Sequence, residues 1–342
     1  MNEVNHSHKL IEELVPGEKV ATFFILRKKE LKTKKDGTPY LLLELGDRSG
    51  RVSATLWNNA QSIYEAIDTG DAVKVMGSVI VYKDANQIAV EKIRKADSSD
   101  HIDINDFVPQ RELDTEILVQ DLEKTIESVK TVPLKRLLQK VFHDPWWMDR
   151  FREAPGGKLW HHAYLGGLLE HTLAVVKVCE TMALLYPKAD RDLLMTGALL
   201  HDIGKIDEYG YDQGYIDFTD EGRLWGHISI GAHRIRTIIE KLEMEEEGFP
   251  RELKRHVLHL ILSHQGKLEF GSPVLPMTLE AMILFYADEM DSKANALLHI
   301  IERDTEPGKR WSKYVPLLDR FIYLGSPDLS EKGKGSEQSA LF

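Results

Sequence analysis

Histidine and aspartate stand side by side in "LLHDIGK", Leu199 to Lys205, directly after an apolar run where neither side chain is at home without a partner. A helix end explains the pair in one way, with Gly204 as the stop and the polar residues facing water. A divalent ion explains it in another. Seven residues leave the two readings open, because a buried polar group needs only a hydrogen bond. The other histidines bear on the choice, since nine of the 14 fall between His161 and His264. In "RELKRHVLHLILSHQG", Leu253, Val257, Leu260, Ile261 and His264 share a helical face, so His264 continues an inward stripe that His256 and His259 leave. Ala281, Leu284 and Asp288 likewise end an apolar face on a carboxylate, where an unpaired anion would be costly. His171 sits one turn after Leu168. Taken singly, each of these residues fits a hydrogen-bonded core position. Taken together, His171, His201, Asp202, His227, His264 and Asp288 bring four imidazoles and two carboxylates from several helices to one pocket. That donor set suits one or two divalent ions, manganese first, with iron, zinc or magnesium as alternatives; calcium prefers sites made wholly of oxygen.

The elements that must position these residues are legible in outline. With 342 residues and 42% hydrophobic content, the chain can bury a large core and form more than one domain. The opening residues carry charges throughout and match neither a secretory signal nor a membrane span, so a soluble cytoplasmic protein is expected. The single cysteine, Cys179, excludes an intrachain disulfide and any cysteine-rich zinc module. A net charge of -11 argues against a chain that coats nucleic acid, yet the charge is unevenly spread. Residues 15–95 hold 14 Lys and Arg against 10 Asp and Glu, a balance of +4 that leaves -15 to the rest. This basic stretch reads as five short strands with a helix, "NNAQSIYEAI", between the third and fourth, the order of an OB-fold barrel over residues 15–96. Residues 97–112 are polar and read as a linker. From 113 to 325 the apolar spacing turns helical, giving a nearly all-α second domain, and residues 326–342 read as a disordered tail. The expected class is therefore multidomain: a small all-β barrel followed by a helical domain.

The order His171, then His201-Asp202, then Asp288 resembles the HD-domain phosphohydrolase superfamily. "KLWHHAYLGGLLEHT", "LLHDIGK", "GHISIG" and "SHQGKLEFGSPVLP", behind an OB domain, resemble more narrowly the YhaM-type 3′-to-5′ exoribonucleases, over roughly residues 15–323. The resemblance implies that His171, His201, Asp202 and Asp288 hold a first metal and that His227 and His264 help hold a second. It also exposes a departure: the family pattern has a second histidine where this chain has Gln265, and an amide is the weaker ligand. The implied reaction is hydrolysis of single-stranded RNA, with DNA as a further substrate, to nucleoside 5′-monophosphates. A phosphodiester repels hydroxide, so such a site needs metal charge, and Asp202 shares in both ion binding and catalysis. Lys205 is placed to add positive charge at phosphate, or else to face water from a helix end. His161 and His162, after the "PGGK" loop, are candidates for one phosphate contact.

For the barrel, Tyr40 and Trp57 are candidate base-stacking residues, with Lys28, Lys29, Lys32, Lys34, Lys35 and Arg51 as phosphate contacts. A core role for Trp57 and a solvated hairpin for the lysine run are the plain alternatives. Trp146, Trp147 and Trp160 read as core more than as stacking platforms. Two rival functions stand beside the exonuclease: an HD-type nucleotide or cyclic-nucleotide phosphohydrolase, and a single-strand-binding adaptor of weak activity. No membrane partner is expected, and an oligomer is open. The final "QSALF" places Gln338, Leu341 and Phe342 in the manner of peptides that dock on a sliding clamp, against the plainer reading of an apolar chain end.

Overall fold

The computed structural model describes residues 8–325 apart from 84, 98, 101, 110–113, 159–161, 212–214, 304–309 and 316–317. His161, Trp160 and the "QSALF" segment lie outside the described residues.

Alternation of apolar and polar side chains builds the first half. Strands β1 (Lys19–Thr33), β2 (Pro39–Asp47), β3 (Gly50–Leu56), β4 (Ala72–Tyr82) and β5 (Ala85–Lys95) close in the order β1-β2-β3-β5-β4, with α1 (Ala60–Ala66) between β3 and β4. All neighbours pair antiparallel except β3 with β5. Strand β1 serves both sides of the barrel, pairing β4 through Lys19–Ile25 and β2 through Ile25–Thr33, with a register shift between Leu26 and Lys28. A bulge there bends the strand, as closure requires. Asp36-Gly37 makes the expected turn, Gly37 taking a φ of 85° that suits glycine. Inside are Phe24, Leu26, Leu41, Leu45, Val73, Val75, Val79 and Ile88.

Helical periodicity builds the second half: α2 (Thr115–Ser128), α3 (Val132–Phe142), α4 (Pro145–Glu153), α5 (Gly167–Leu185), α6 (Arg191–Leu200), α7 (Lys205–Glu208), α8 (Asp220–Glu243), α9 (Arg251–Ser263) and α10 (Leu279–Arg303). The starts are chemically marked. Asp144 and Asp190 accept from Trp146 N and Leu193 N at 2.9 and 3.0 Å, and Thr219 Oγ1 accepts from Gly222 N at 2.9 Å. Helix α5 lies at the centre, against α6 and α10, and α8 packs on α7 and α9. Leu199 and Leu200 are buried with Leu168, Leu260, Ile261 and Leu284, each such side chain contributing about 1.5–3 kcal/mol by burial.

Several features go beyond the sequence reading. Helix α6 stops at Leu200, and the helix containing His227 begins earlier than "ISIGAH", at Asp220, with a break at Gly226 (φ 69°, ψ 153°). The helix α4 and a two-stranded hairpin, β6 (Tyr209–Gly210) with β7 (Asp217–Phe218), were unforeseen, being too short to show a period. The polar linker is anchored: Phe107 and Val108 are buried, and Asp106 O accepts from Arg48 N at 2.9 Å. Residues 8–14 also pack on the barrel, where buried Asp47 accepts from Ile11 N at 2.6 Å.

Candidate metal centre and nucleic-acid face

Four helices and one turn converge on a single centre. His171 comes from α5, His201 and Asp202 from the turn after α6, His227 from α8 just past the Gly226 break, His264 from the C-terminal end of α9 and Asp288 from α10. Gly204 allows this convergence for a reason other than a left-handed stop. Its φ is -69°, but a Cβ there would lie 2.0 Å from His227 O and 2.7 Å from Gly231 N. The turn after Asp202 and helix α8 touch backbone to backbone.

The carboxylate of Asp202 stands between two pairs of imidazoles. Its Oδ2 is 3.4 Å from Nε2 of both His171 and His201. Its Oδ1 is 3.3 Å from His227 Nε2 and 3.4 Å from His264 Nε2. Asp288 Oδ1 joins the first pair, 3.2 Å from His171 Nε2. The opposite ring nitrogens are all engaged. His201 Nδ1 donates to Ala198 O and His264 Nδ1 to Ile261 O, each at 2.8 Å; since a carbonyl can only accept, the proton sits on Nδ1. His171 Nδ1 donates to Asp291 at 2.7 Å and His227 Nδ1 to Glu208 at 3.0 Å. In the neutral rings every Nε2 therefore turns a lone pair toward the centre.

Such an arrangement calls for positive charge. With both rings neutral, two lone pairs would face each other across the 3.3 Å between His171 Nε2 and His201 Nε2. Asp202 Oδ1 and His227 Nε2 are buried and make no hydrogen bond among the described residues. Either protons or metal ions must satisfy these atoms, and His/Asp donors with this spacing fit divalent ions at both halves. The protonation pattern agrees. Burial disfavours a charged His171, but its bonds to Asp202, Asp288 and Asp291 outweigh this and hold its pKa well above the usual imidazole range. Burial likewise opposes the anionic forms of Asp202 and Asp288. Lys205 and His201 nevertheless keep Asp202 ionised far below the usual range, and His171 does so for Asp288.

Of the residues singled out from the sequence, all six candidate ligands meet here. Lys205 is buried in the centre, its ammonium 2.6 Å from Asp202 Oδ2 and 2.6 Å from Gly156 O. It neutralises Asp202 instead of reaching an open face. His162 lies behind His171: it is 2% exposed, with Nε2 3.0 Å from Asp291 Oδ2 and Nδ1 3.0 Å from the Tyr164 hydroxyl. Gln265 places its amide 3.3 Å from His264 Nε2, beside the second half of the centre. Sequence reasoning missed Asp291 and Glu208. Each falls one helical turn after a singled-out residue, Asp288 and Lys205 respectively, which is the spacing that could have revealed them.

On the barrel, Tyr40 and Trp57 stack on each other, ring centroids 4.9 Å apart and planes inclined by 24°. Trp57 remains 47% exposed, and the Lys34 ammonium lies 4.7 Å from its ring centre. Lys35 is exposed and makes no ion pair among the described residues. The other cations are engaged. Lys28 and Lys32 pair with Glu30, and Arg51 pairs with Glu44 at 2.8 Å. Lys29 turns inward, donating to the carbonyls of Tyr64 and Ile67 at 2.8 and 2.5 Å and to Asp68 at 2.9 Å. It caps the end of α1, so it is held as a structural cation. Of the tryptophans, Trp147 is buried in the helical core, while Trp146 is partly exposed under the guanidinium groups of Arg150 and Arg234.

Two family models match the chain: one for the HD domain over residues 168–293, and one for an OB-fold nucleic acid binding domain over residues 25–96. The first spans every candidate ligand and the second most of the barrel. Among solved structures, the chain is similar to the second OB-fold domain of replication protein A from Methanococcus maripaludis, at 27% identity, covering 27% of this chain and 97% of that one, with a TM-score of 0.23. A crystal structure of a domain of replication protein A from the same organism matches at 23% identity, covering 27% of this chain and 99% of that one, with a TM-score of 0.24. An HD domain, the metal-dependent phosphohydrolase type, joined to a nucleic-acid-binding OB-fold supports a nucleic-acid-processing hydrolase. No helix among the described residues is long and apolar enough to cross a membrane.

Proposed function

We propose that this chain is a 3′-to-5′ exonuclease of the YhaM type, acting on single-stranded RNA with one or two divalent ions, manganese first among them. The observation that carries the reading is Asp202, whose two oxygens address two separate imidazole pairs. His171, His201, Asp202 and Asp288 would hold one ion; Asp202, His227 and His264, with the Gln265 amide beside them, would hold the other. Bound ions supply charge against the phosphoryl oxygens and water acidic enough to attack at neutral pH. The protein's own groups prepare for this. Lys205 keeps Asp202 ionised, and the acceptors behind the four rings fix the tautomer that each ligand needs. The barrel supplies the grip, with bases stacking on the Tyr40 and Trp57 pair and phosphates meeting Lys34 and Lys35. An acidic catalytic half gains from this basic partner in holding a polyanion, and binding should weaken as salt rises.

Purified protein with manganese and a 5′-labelled single-stranded RNA tests the reading. Stepwise shortening from the 3′ end with release of nucleoside 5′-monophosphates is the expected result, with a DNA strand of the same sequence run alongside. Hydrolysis of free or cyclic nucleotides with the strand left intact would assign the site to small molecules. Strand binding without cleavage under any divalent ion would make the protein an adaptor.

A further inference from the structure

We propose that the two halves of the metal centre are tuned separately by two carboxylates that are not ligands: Asp291 acting through His171, and Glu208 acting through His227. The inference rests on the metal-centre reading above. Asp291 Oδ2 accepts from His171 Nδ1 at 2.7 Å and from His162 Nε2 at 3.0 Å. One oxygen holding two donors cannot swing toward the centre without breaking both bonds. His162 is itself pinned, with Nδ1 3.0 Å from the Tyr164 hydroxyl and 3.4 Å from Glu170, and Tyr164 donates to Glu170 in turn. The trio His162, His171 and Asp291 has ligand-like spacing, but its separations are those of hydrogen bonds.

Glu208 repeats the device on the other side. Its Oε1 accepts from the backbone N–H of His227 at 2.9 Å and from the ring Nδ1 at 3.0 Å. The break at Gly226 frees that backbone N–H from the helix ladder, so one carboxylate oxygen clamps both the main chain and the ring of the ligand. Behind His201 and His264 stand, among the described residues, the neutral carbonyls of Ala198 and Ile261. Each half thus pairs one carboxylate-backed imidazole with one carbonyl-backed imidazole. An anionic acceptor pulls the Nδ1 proton harder and makes Nε2 the stronger donor, so Asp291 and Glu208 are positioning residues, each for its own ion.

Titration of metal-free full-length protein with Mn2+ by calorimetry tests this. Wild type should bind in two steps. Asp291→Asn should weaken one step by about 10–100-fold and leave the other within twofold, and Glu208→Gln should do the same to the other step. Thermal melts of the metal-free variants check that both remain folded. Should Asp291→Asn not fold, His162→Gln, which removes only the support behind Asp291, should weaken the same step to a lesser degree. Both carboxylate variants weakening the same step, or neither changing a step, would overturn the proposal while two ions still bind wild type. A wild type that binds no ion would overturn the metal-centre reading instead.

Discussion

Replacing Asp202 by asparagine should act on the helical domain twice, and the two effects can be separated. The carboxylate and the Lys205 ammonium are both buried, 2% and 5% exposed, and lie 2.6 Å apart. A neutral amide at this position would leave that ammonium with the Gly156 carbonyl and no anion in contact. Removing one member of such a buried pair costs about 3–5 kcal/mol, most of it the penalty of the stranded charge. For a helical domain of this size that corresponds to a fall in melting temperature of roughly 6–20 °C, measured without metal. The second effect is on ion binding, because Asp202 faces all four candidate imidazoles: both steps of a Mn2+ titration and the proposed nuclease activity should be lost or weakened. Adding Lys205→Met to Asp202→Asn removes the stranded charge. The double variant should regain most of the lost melting temperature yet recover neither ion binding nor activity. Calorimetry and thermal melts on the two single variants and the double variant complete the cycle. If the double variant melts no higher than Asp202→Asn, the pairing of Asp202 with Lys205 is not what holds this turn. Tight binding of two ions by Asp202→Asn would refute the place given to Asp202 between the two imidazole pairs.

Gly204→Ala should disrupt the centre without touching a ligand, since the new Cβ would meet His227 O at 2.0 Å; weaker Mn2+ binding and a lowered melting point are expected, and wild-type values for both would contradict the close approach. Lys29→Met should destabilise the barrel while leaving strand affinity nearly unchanged, whereas Lys35→Met should reduce affinity and the salt dependence of binding with no loss of stability, as read by melts and fluorescence anisotropy. Trp57→Ala should cost about 1–3 kcal/mol of single-strand binding, and an unchanged affinity would place the strand elsewhere. Burial, with the charges of Asp288 and Glu180, raises the Cys179 thiol above its usual range, so it stays protonated at pH 8. A thiol reagent should find no reactive group in the native protein and one equivalent in guanidinium chloride.

Much of the architecture could be read from the chain because it depends on local pattern. Period-two alternation and the Asp36-Gly37 turn announced the barrel strands, and a 3.6-residue period placed His264 and Asp288 on inward faces, where both are buried. Short pieces escaped for the same reason: α4 spans nine residues and the strands of the small hairpin two each, too few to display a period.

Helical face, then, was enough to mark His171, His264 and Asp288, since an imidazole or carboxylate on a core stripe is costly wherever the chain puts it; His201, Asp202 and His227 joined them by residue type and by their place in the motifs. What each cation and each supporting group does was decided only in three dimensions. Lys29 could not be told from Lys35 in a run of like charges, because its partners at Tyr64 and Ile67 lie more than 30 positions along the chain, at the end of α1. Lys205 turned inward because Gly156 O and Asp202 wait there, and His162 is held by Asp291, 129 positions away. Charge and hydrogen-bonding capacity belong to the residue, but the partner that satisfies them belongs to the packing.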